Sequence, residues 1–304
     1  MRCVIAGGSG LLGSALAASL AGRGDQVVIL TRHAGPSDLA GVRNVEWVPD
    51  GSIGPWSREI GEADVVVNLG GTSIAGGRWT AQRKAILRSS RIGSTNSLVA
   101  AVQAAARWPA TFVQGSAVGY YGAHADGPTF DEQSEPGRDF LADLAVDWET
   151  AAAPVAALGC RLVTVRTAVV LARGDGALPK MALPFRFFAG GPVGSGRQYM
   201  SWITVDDWVA LVEWAIDTPA IAGALNASAP SPVTNAEFSA AIGRALRRPS
   251  WLRAPAFALR AMLGEMAEAL LLRGQRVIPA RAIAHGFVFR HASIDEALAH
   301  VLAR

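Results

Sequence analysis

Lysine and cysteine are nearly absent from this chain: Lys84 and Lys180, Cys3 and Cys160 are all that its 304 residues hold. Two isolated cysteines exclude a disulfide framework, and neither stands in a CxxC or zinc-type spacing. The histidines His33, His124, His285, His291 and His300 include no HxxxH pair, so no metal site is expected. Charge is scarce too. Charged residues make up 17% of the chain against 50% hydrophobic ones, and the formal net charge is +3. So apolar a composition excludes disorder and supplies a large core. Basic residues form no run, which argues against a nucleic-acid partner. No stretch reaches about 18 uninterrupted apolar residues, so neither a membrane span nor a membrane partner is expected. The apolar stretch Cys3-Val4-Ile5-Ala6 is too short for a signal peptide, which predicts a cytoplasmic protein. The shortage of lysine also narrows mechanism. Lys180 either reaches a site from the loop after a sixth strand or stays at the surface.

What the sequence does hold is alternation. Short apolar runs at Arg2–Ala6, Gln26–Thr31, Asp64–Leu69, Thr111–Ser116 and Arg161–Thr167 predict strands, with a weaker one at Val45–Val48. Helical spacing marks Leu11–Gly22, Trp79 to about Arg107, and roughly Arg138–Leu158. Near-continuous apolar strands separated by helices predict a parallel sheet covered on both faces, a doubly wound α/β fold of Rossmann type. The rhythm breaks after Leu171, where prolines and glycines cluster. The expected division is a dinucleotide-binding domain over 1–171, rejoined by about 199–230, and a smaller, irregular substrate-side and C-terminal part over 172–304. Capping boxes are legible at Thr234/Glu237 and Ser293/Glu296, and Pro255–Leu272 reads as a packed amphipathic helix or pair.

After the first strand comes Gly7-Gly8-Ser9-Gly10-Leu11-Leu12-Gly13. Gly7 suits a tight turn, Gly10 a close backbone approach to a pyrophosphate, and Gly13 the packing of helix on sheet. Ser9, Leu11 and Leu12 would offer their N–H groups at a helix N-terminus to the anion. A glycine turn alone is weak; its place between a first strand and a helix makes it a candidate dinucleotide cradle. An NAD site puts a carboxylate at the end of the second strand. Here Thr31-Arg32-His33 follows, with no carboxylate before Asp38. Arg32 either binds a 2′-phosphate, which favours NADP, or is a solvated arginine. Arg91, on the long helix, is a second candidate phosphate partner. The fourth strand ends in Asn68-Leu69-Gly70-Gly71, where Leu69 and Gly70 either contact the cofactor or serve only the turn.

Together with Gly115-Ser116-Ala117 and Trp202-Ile203-Thr204-Val205-Asp206-Asp207, these motifs resemble the extended short-chain dehydrogenases/reductases. Arg78-Trp79-Thr80, Gly119-Tyr120-Tyr121-Gly122, Pro184-Phe185-Arg186, Gly190 to Gln198, Gly274 to Pro279 and Gly286 to Phe289 narrow the resemblance. They are similar to the atypical "epimerase family protein" or nucleoside-diphosphate-sugar-epimerase-like branch with its small C-terminal domain. The resemblance covers essentially the whole chain and implies NADP(H) and a small-molecule substrate.

It also implies a Ser/Tyr/Lys mechanism with a YxxxK turn, which this sequence lacks. Leu141 and Ala145 hold the matching positions, and apolar side chains transfer no protons. Ser116, Tyr120 and Tyr121 remain as the catalytic candidates. The serine either holds a substrate carbonyl or bonds its own strand end; the tyrosines either donate a proton or pack beneath the cofactor. Without a neighbouring lysine, a tyrosine keeps a pKa near about 10 and serves better as an acid than as a base. Arg186, Arg197, Gln198 and Trp202 fall where extended relatives bind a nucleotide or another polar moiety, and are the substrate-binding candidates. Two functions stay open: an NADP(H)-dependent oxidoreductase, possible epimerase, with atypical catalytic residues, or a non-catalytic NADP(H)-binding sensor or interaction protein.

Overall fold

The structure, a computed structural model, describes every residue except Ala34, Asp38 and Arg304. Asp38, the first carboxylate beyond the second strand, therefore lies outside the described residues. Seven parallel strands form the central sheet: β1 (Arg2–Ala6), β2 (Gln26–Thr31), β3 (Val42–Glu46), β4 (Val65–Asn68), β5 (Thr111–Ala117), β6 (Arg161–Thr167) and β7 (Gly223–Ala227). Their spatial order is β7-β6-β5-β4-β1-β2-β3. The order reverses at β1, and that switch point opens a crevice at the carboxyl ends of the strands.

The alternation within each strand explains the two covered faces. Cys3 and Ile5 of β1 join Val65, Val67, Val113 and Val165 in one core. That core is closed by α1 (Leu11–Gly22) and by the helix Val205–Asp217. Val4 and Ala6 point the other way, into a second core with Val28, Leu30, Val66 and Phe112. There the sheet is covered by α2 (Ala81–Ala104), and α3 (Phe140–Ala152) packs beside α2.

The structure shifts several expected boundaries. The third strand begins at Val42, not Val45, and pairs with β2 from Val27↔Val42 to Thr31↔Glu46. The long helix starts one residue after Thr80, whose hydroxyl accepts from the Arg83 N–H. The helix expected over 138–158 is two pieces: Asp139 caps α3 through Leu141 and Ala142 N–H, and Pro154 opens a short separate turn.

Beyond the sheet, α4 (Leu178–Arg186), α5 (Val205–Asp217), α6 (Asn235–Leu246), α7 (Ala256–Leu263) and α8 (Ile294–Leu302) complete the longer helices. Phe185, Trp202, Phe238, Ile242 and Leu298 form a third core under α4, α6 and α8. The capping box at Thr234/Glu237 is complete, and Ser293 accepts from the Glu296 N–H. Only part of Pro255–Leu272 packs as expected. None of the residues of α7 is buried; a short α-turn (Glu265–Ala267) and a π-turn (Glu268–Leu272) follow. The chain just beyond this segment is tied back to the first half, where Thr129–Phe130 pairs with Arg276–Val277 and the Gln275 amide donates to Gly122 O at 2.7 Å. Among the described residues no helix is long and apolar enough to cross a membrane.

Candidate active site

The three glycines after β1 do different jobs. Gly7 has φ +80°, and a side chain there would strike Leu69 O at 2.6 Å. The first turn is thus pressed against the turn after β4. A Cβ on Gly13 would lie 2.6 Å from Gly8 Cα and closer still to Gly7 O, so helix and turn touch backbone to backbone. Gly10 differs: a Cβ there would meet only Gly7 O, at 3.5 Å. Gly10 caps α1 with no side-chain hydrogen bond, and no acidic residue occupies the first turn. The open space at Gly10 and the uncapped helix end fit a pyrophosphate. Ser9 and Gly10 are exposed, and Leu11 and Leu12 half-buried.

Asn68 organises the facing turn from within. Fully buried, it donates to Thr95 Oγ1 at 2.8 Å and to Gln114 Oε1 at 3.0 Å, while accepting from the Gly70 N–H. A side chain at Gly70 would crowd Ser94, and one at Gly71 would press on Arg91. Arg91 itself is buried. Its Nη1 donates to Thr72 O and Leu87 O, each at 3.1 Å, and its guanidinium lies 5.1 Å from the Trp148 ring. No carboxylate reaches ion-pair distance of it among the described residues. Burial, with Arg83 adding repulsion, pulls its pKa down to about 10. A cation so placed lacks only an anion nearby. Thr31 is half-buried at the end of β2, and Arg32 is exposed beyond it.

Ser116, Arg166 and Asn226 occupy one register row across β5, β6 and β7. Ser116 Oγ donates to Glu149 Oε1 at 2.6 Å. Arg166 grips the same carboxylate with two bonds of 2.9 Å, Nε to Oε1 and Nη2 to Oε2. Its third arm donates to Tyr121 Oη at 3.1 Å, and that hydroxyl donates to Asn226 Oδ1 at 2.7 Å. Burial opposes the Arg166 charge, but Glu149 and Tyr121 outweigh it and hold the guanidinium above its ordinary range. The guanidinium also lies 3.4 Å over the Tyr120 ring. Sequence reading missed Glu149, Arg166 and Asn226, which the fold gathers around Ser116.

The two tyrosines part company here. Tyr121 is almost wholly buried and its hydroxyl is engaged on both sides, which gives it a packing and bridging role instead of a free proton donor's. Burial pushes its pKa up to about 12, against the pull of Arg166. The folded state therefore prefers the neutral phenol. That preference stabilises fully below about pH 10, the unfolded value, and is lost as pH climbs towards 12; two units correspond to about 3 kcal/mol. We expect the wild type to lose more stability than Tyr121→Phe between pH 9 and 11.5 in urea unfolding. Parallel losses would show that the phenol does not titrate in this way. Tyr120 is half-buried, edge-on to Tyr121 at 5.2 Å.

The expected substrate contacts are dispersed. Trp202 is fully buried in the third core, its indole donating to Ser231 O. Gln198 is buried as well and donates to Val193 O and Leu271 O. Both serve structure, because indole and amide donors are satisfied internally. Arg186 and Arg197 are exposed, the latter 3.8 Å from Asp126, and Lys180 lies exposed on α4. A half-open depression of about 260 Å³ lies between Trp79, Phe140 and Leu141 on one side and Glu265, Glu268 and Arg273 on the other, and neither Ser116 nor Tyr120 lines it.

Sheet order, glycine turn and switch-point crevice define a dinucleotide-binding α/β protein of the Rossmann class. Residues 3–226 match the NAD dependent epimerase/dehydratase family, and residues 254–301 match a domain of unknown function, DUF1731. The chain belongs to that epimerase/dehydratase family. An epimerase family protein of Mycobacterium bovis is 44% identical over 301 residues, covering 99% of this chain and 97% of the relative. The Bacillus subtilis epimerase family protein YfhF is 37% identical over 303 residues, covering 100% and 98%. Among solved structures, human epimerase family protein SDR39U1 with NADPH superimposes with a TM-score of 0.87 at 33% identity, covering 99% of each chain.

Proposed function

We propose that this chain is an NADP(H)-dependent oxidoreductase, with epimerisation as a possible subtype, acting on a small hydroxyl- or carbonyl-bearing substrate in the cytoplasm. Its two free, buried cysteines suit a reducing compartment. The observation that carries the reading is the Ser116–Glu149–Arg166 arrangement at the carboxyl ends of the strands, next to a cradle with room at Gly10. When bound, the nicotinamide would supply or accept the hydride.

The chain's own groups hold the substrate oxygen. Because Ser116 gives its hydrogen to Glu149, its oxygen has only acceptor capacity left, and a substrate hydroxyl can donate to it. Glu149 is fixed by the fork of Arg166, so the serine rotor is locked in this sense. The serine thus favours an alcohol over the carbonyl that its family counterpart holds. Tyr120 is the remaining proton-donor candidate, since Tyr121 is engaged internally. Ser116→Ala should lower turnover of an alcohol or carbonyl panel by about 100-fold at unchanged NADPH affinity. Turnover equal to wild type would remove Ser116 from the chemistry.

NADP preference rests on Arg32 and Arg91 and on the NADPH held by the human relative. Arg32→Ala should weaken NADPH binding by about one to two decades, the worth of a charge-assisted contact, and leave NADH unchanged. Calorimetric titration with both dinucleotides reads this directly; an unaltered preference would shift the 2′-phosphate to another residue. Leu141 and Ala145, apolar where YxxxK would stand, favour the second reading, a non-catalytic NADP(H)-binding sensor or interaction protein. Binding without turnover of any panel member would decide for it.

A further inference from the structure

We infer that the surface formed by the C-terminal ends of α4 and α6 and the chain leading into α7 docks on an anionic lipid bilayer, with aromatic rings entering the interface and arginines meeting the phosphate headgroups. None of its residues belongs to the cradle or to the Ser116 cluster, so the docking is independent of the oxidoreductase reading. The backbone singles the surface out first. Phe188 has φ +59° and Arg247 φ +53°, and no other non-glycine among the described residues has a positive φ. Each ends a helix in the same way. After α4, Phe188 N–H donates to Phe185 O at 3.0 Å and Ala189 N–H to Pro184 O at 2.9 Å. After α6, Arg247 N–H donates to Arg244 O at 3.1 Å and Arg248 N–H to Gly243 O at 2.8 Å. Such a left-handed helix end suits glycine, and a bulky side chain is strained there. Neither side chain offsets the strain by burial, since Phe188 is 56% exposed and Arg247 is exposed as well. Strain without a packing gain marks a surface under a functional demand.

The two helix ends meet. The Arg248 guanidinium lies 4.5 Å from the Phe188 ring, and the N–H groups of Trp251 and Leu252 both donate to Gly190 O, at 3.1 and 3.0 Å. Around them Phe187, Trp251 and Phe257 stand 74%, 68% and 75% exposed. Phe187, Phe188 and Phe257 are all the exposed phenylalanines among the described residues, so the exposed rings are gathered instead of scattered. Rings that stand this clear of the surface suit an interface that yields to their shape, as the headgroup region does. A protein partner would have to supply a matching pocket for each.

Charge decides the kind of bilayer. Between Asp175 and Asp206, and again between Glu237 and Glu265, the sequence holds no carboxylate, while Arg186, Arg247, Arg248 and Arg253 fall within these stretches. None of the four comes within ion-pair distance of a carboxylate among the described residues. Arg253 donates to Gly194 O and Ser195 O at 2.8 and 2.7 Å, which fixes its cation in place without neutralising it. Cations beside aromatic rings are drawn to the negative face of a membrane and hold the rings at headgroup depth. A second copy of this chain would bring the same positive charge to the contact and be repelled. Docking of this kind needs no spanning segment.

Co-sedimentation of the full chain with vesicles tests this, using mixed phosphatidylglycerol and phosphatidylcholine against phosphatidylcholine alone. Wild type should sediment with the first and not the second, and less so as salt is added. Phe188→Gly combined with Arg247→Gly removes one ring and one cation while relaxing both helix ends. That variant should bind the anionic vesicles about tenfold more weakly, yet melt no lower than wild type. Trp108→Ser removes an exposed tryptophan from the turn between α2 and β5, and should bind vesicles as wild type does. The inference is overturned by absence of binding to the anionic vesicles, by equal binding to phosphatidylcholine alone, or by equal binding of the double-glycine variant. The same loss in Trp108→Ser would overturn it too, by making the contact unspecific. A lower melting temperature of the double-glycine variant would assign Phe188 and Arg247 to the fold, and tighter binding of soluble polyglutamate than of vesicles would assign the surface to an acidic protein; either result would overturn it.

Discussion

Gly10→Val should reduce NADPH affinity at least 100-fold while the protein stays folded. Gly10 has φ −87° and ψ 170°, extended backbone open to any residue, so the substitution carries no left-handed strain. Its Cβ would meet no protein atom nearer than 3.5 Å, and the added branches would fill the space a pyrophosphate needs. Gly13→Val supplies the contrast. Its side chain would collide with the Gly7 and Gly8 backbone, so it should destabilise the fold itself. Melting temperature and NADPH titration on both variants separate the effects. Normal NADPH binding by folded Gly10→Val would reduce the cradle to a turn.

Arg166→Met should cost about 3–5 kcal/mol of stability, the penalty for leaving a buried carboxylate unpaired. Arg166 and Glu149 are both largely buried, and the arginine fork satisfies both carboxylate oxygens. The same substitution frees the Tyr121 hydroxyl of its donor and removes the cation from the Tyr120 face. Arg166→Lys should recover only a fraction, because one ammonium cannot span Glu149 and Tyr121 together. Glu149→Gln combined with Arg166→Met should be milder than the sum of the two changes, since neither partner is then left charged alone. Strict additivity in denaturant unfolding would show that the pair is not coupled.

The cradle was legible because its chemistry is local. A strand, a glycine turn and a helix lie within the first 22 residues, and each glycine's role follows from its offset. The pairing around Ser116 was not, since Glu149 lies 33 residues from Ser116 and 17 from Arg166, with no motif spacing to join them. A trace existed nonetheless. Arg166 interrupts the near-continuous apolar run of a central strand, and a charge buried there needs a partner. Glu149 falls on the same helix face as Leu141 and Ala145, two turns on from the first. Gln198 and Trp202 misled because a polar and an aromatic residue near a glycine-rich stretch look like a binding loop, while Trp202 fills the third core and the Gln198 amide ties Val193 O to Leu271 O. The apolar pattern of 255–272 implied burial, yet α7 lies over no core.

Lys84 reaches from α2 to Glu265, and its ammonium also sits 4.8 Å from the Phe140 ring. Scarcity turns this contact into a reporter. Lys180, the other lysine, stands exposed and away from the depression, so it supplies an internal reference for acylation by an amine-directed reagent. The ratio of label on the two side chains measures how often the Lys84–Glu265 latch is open.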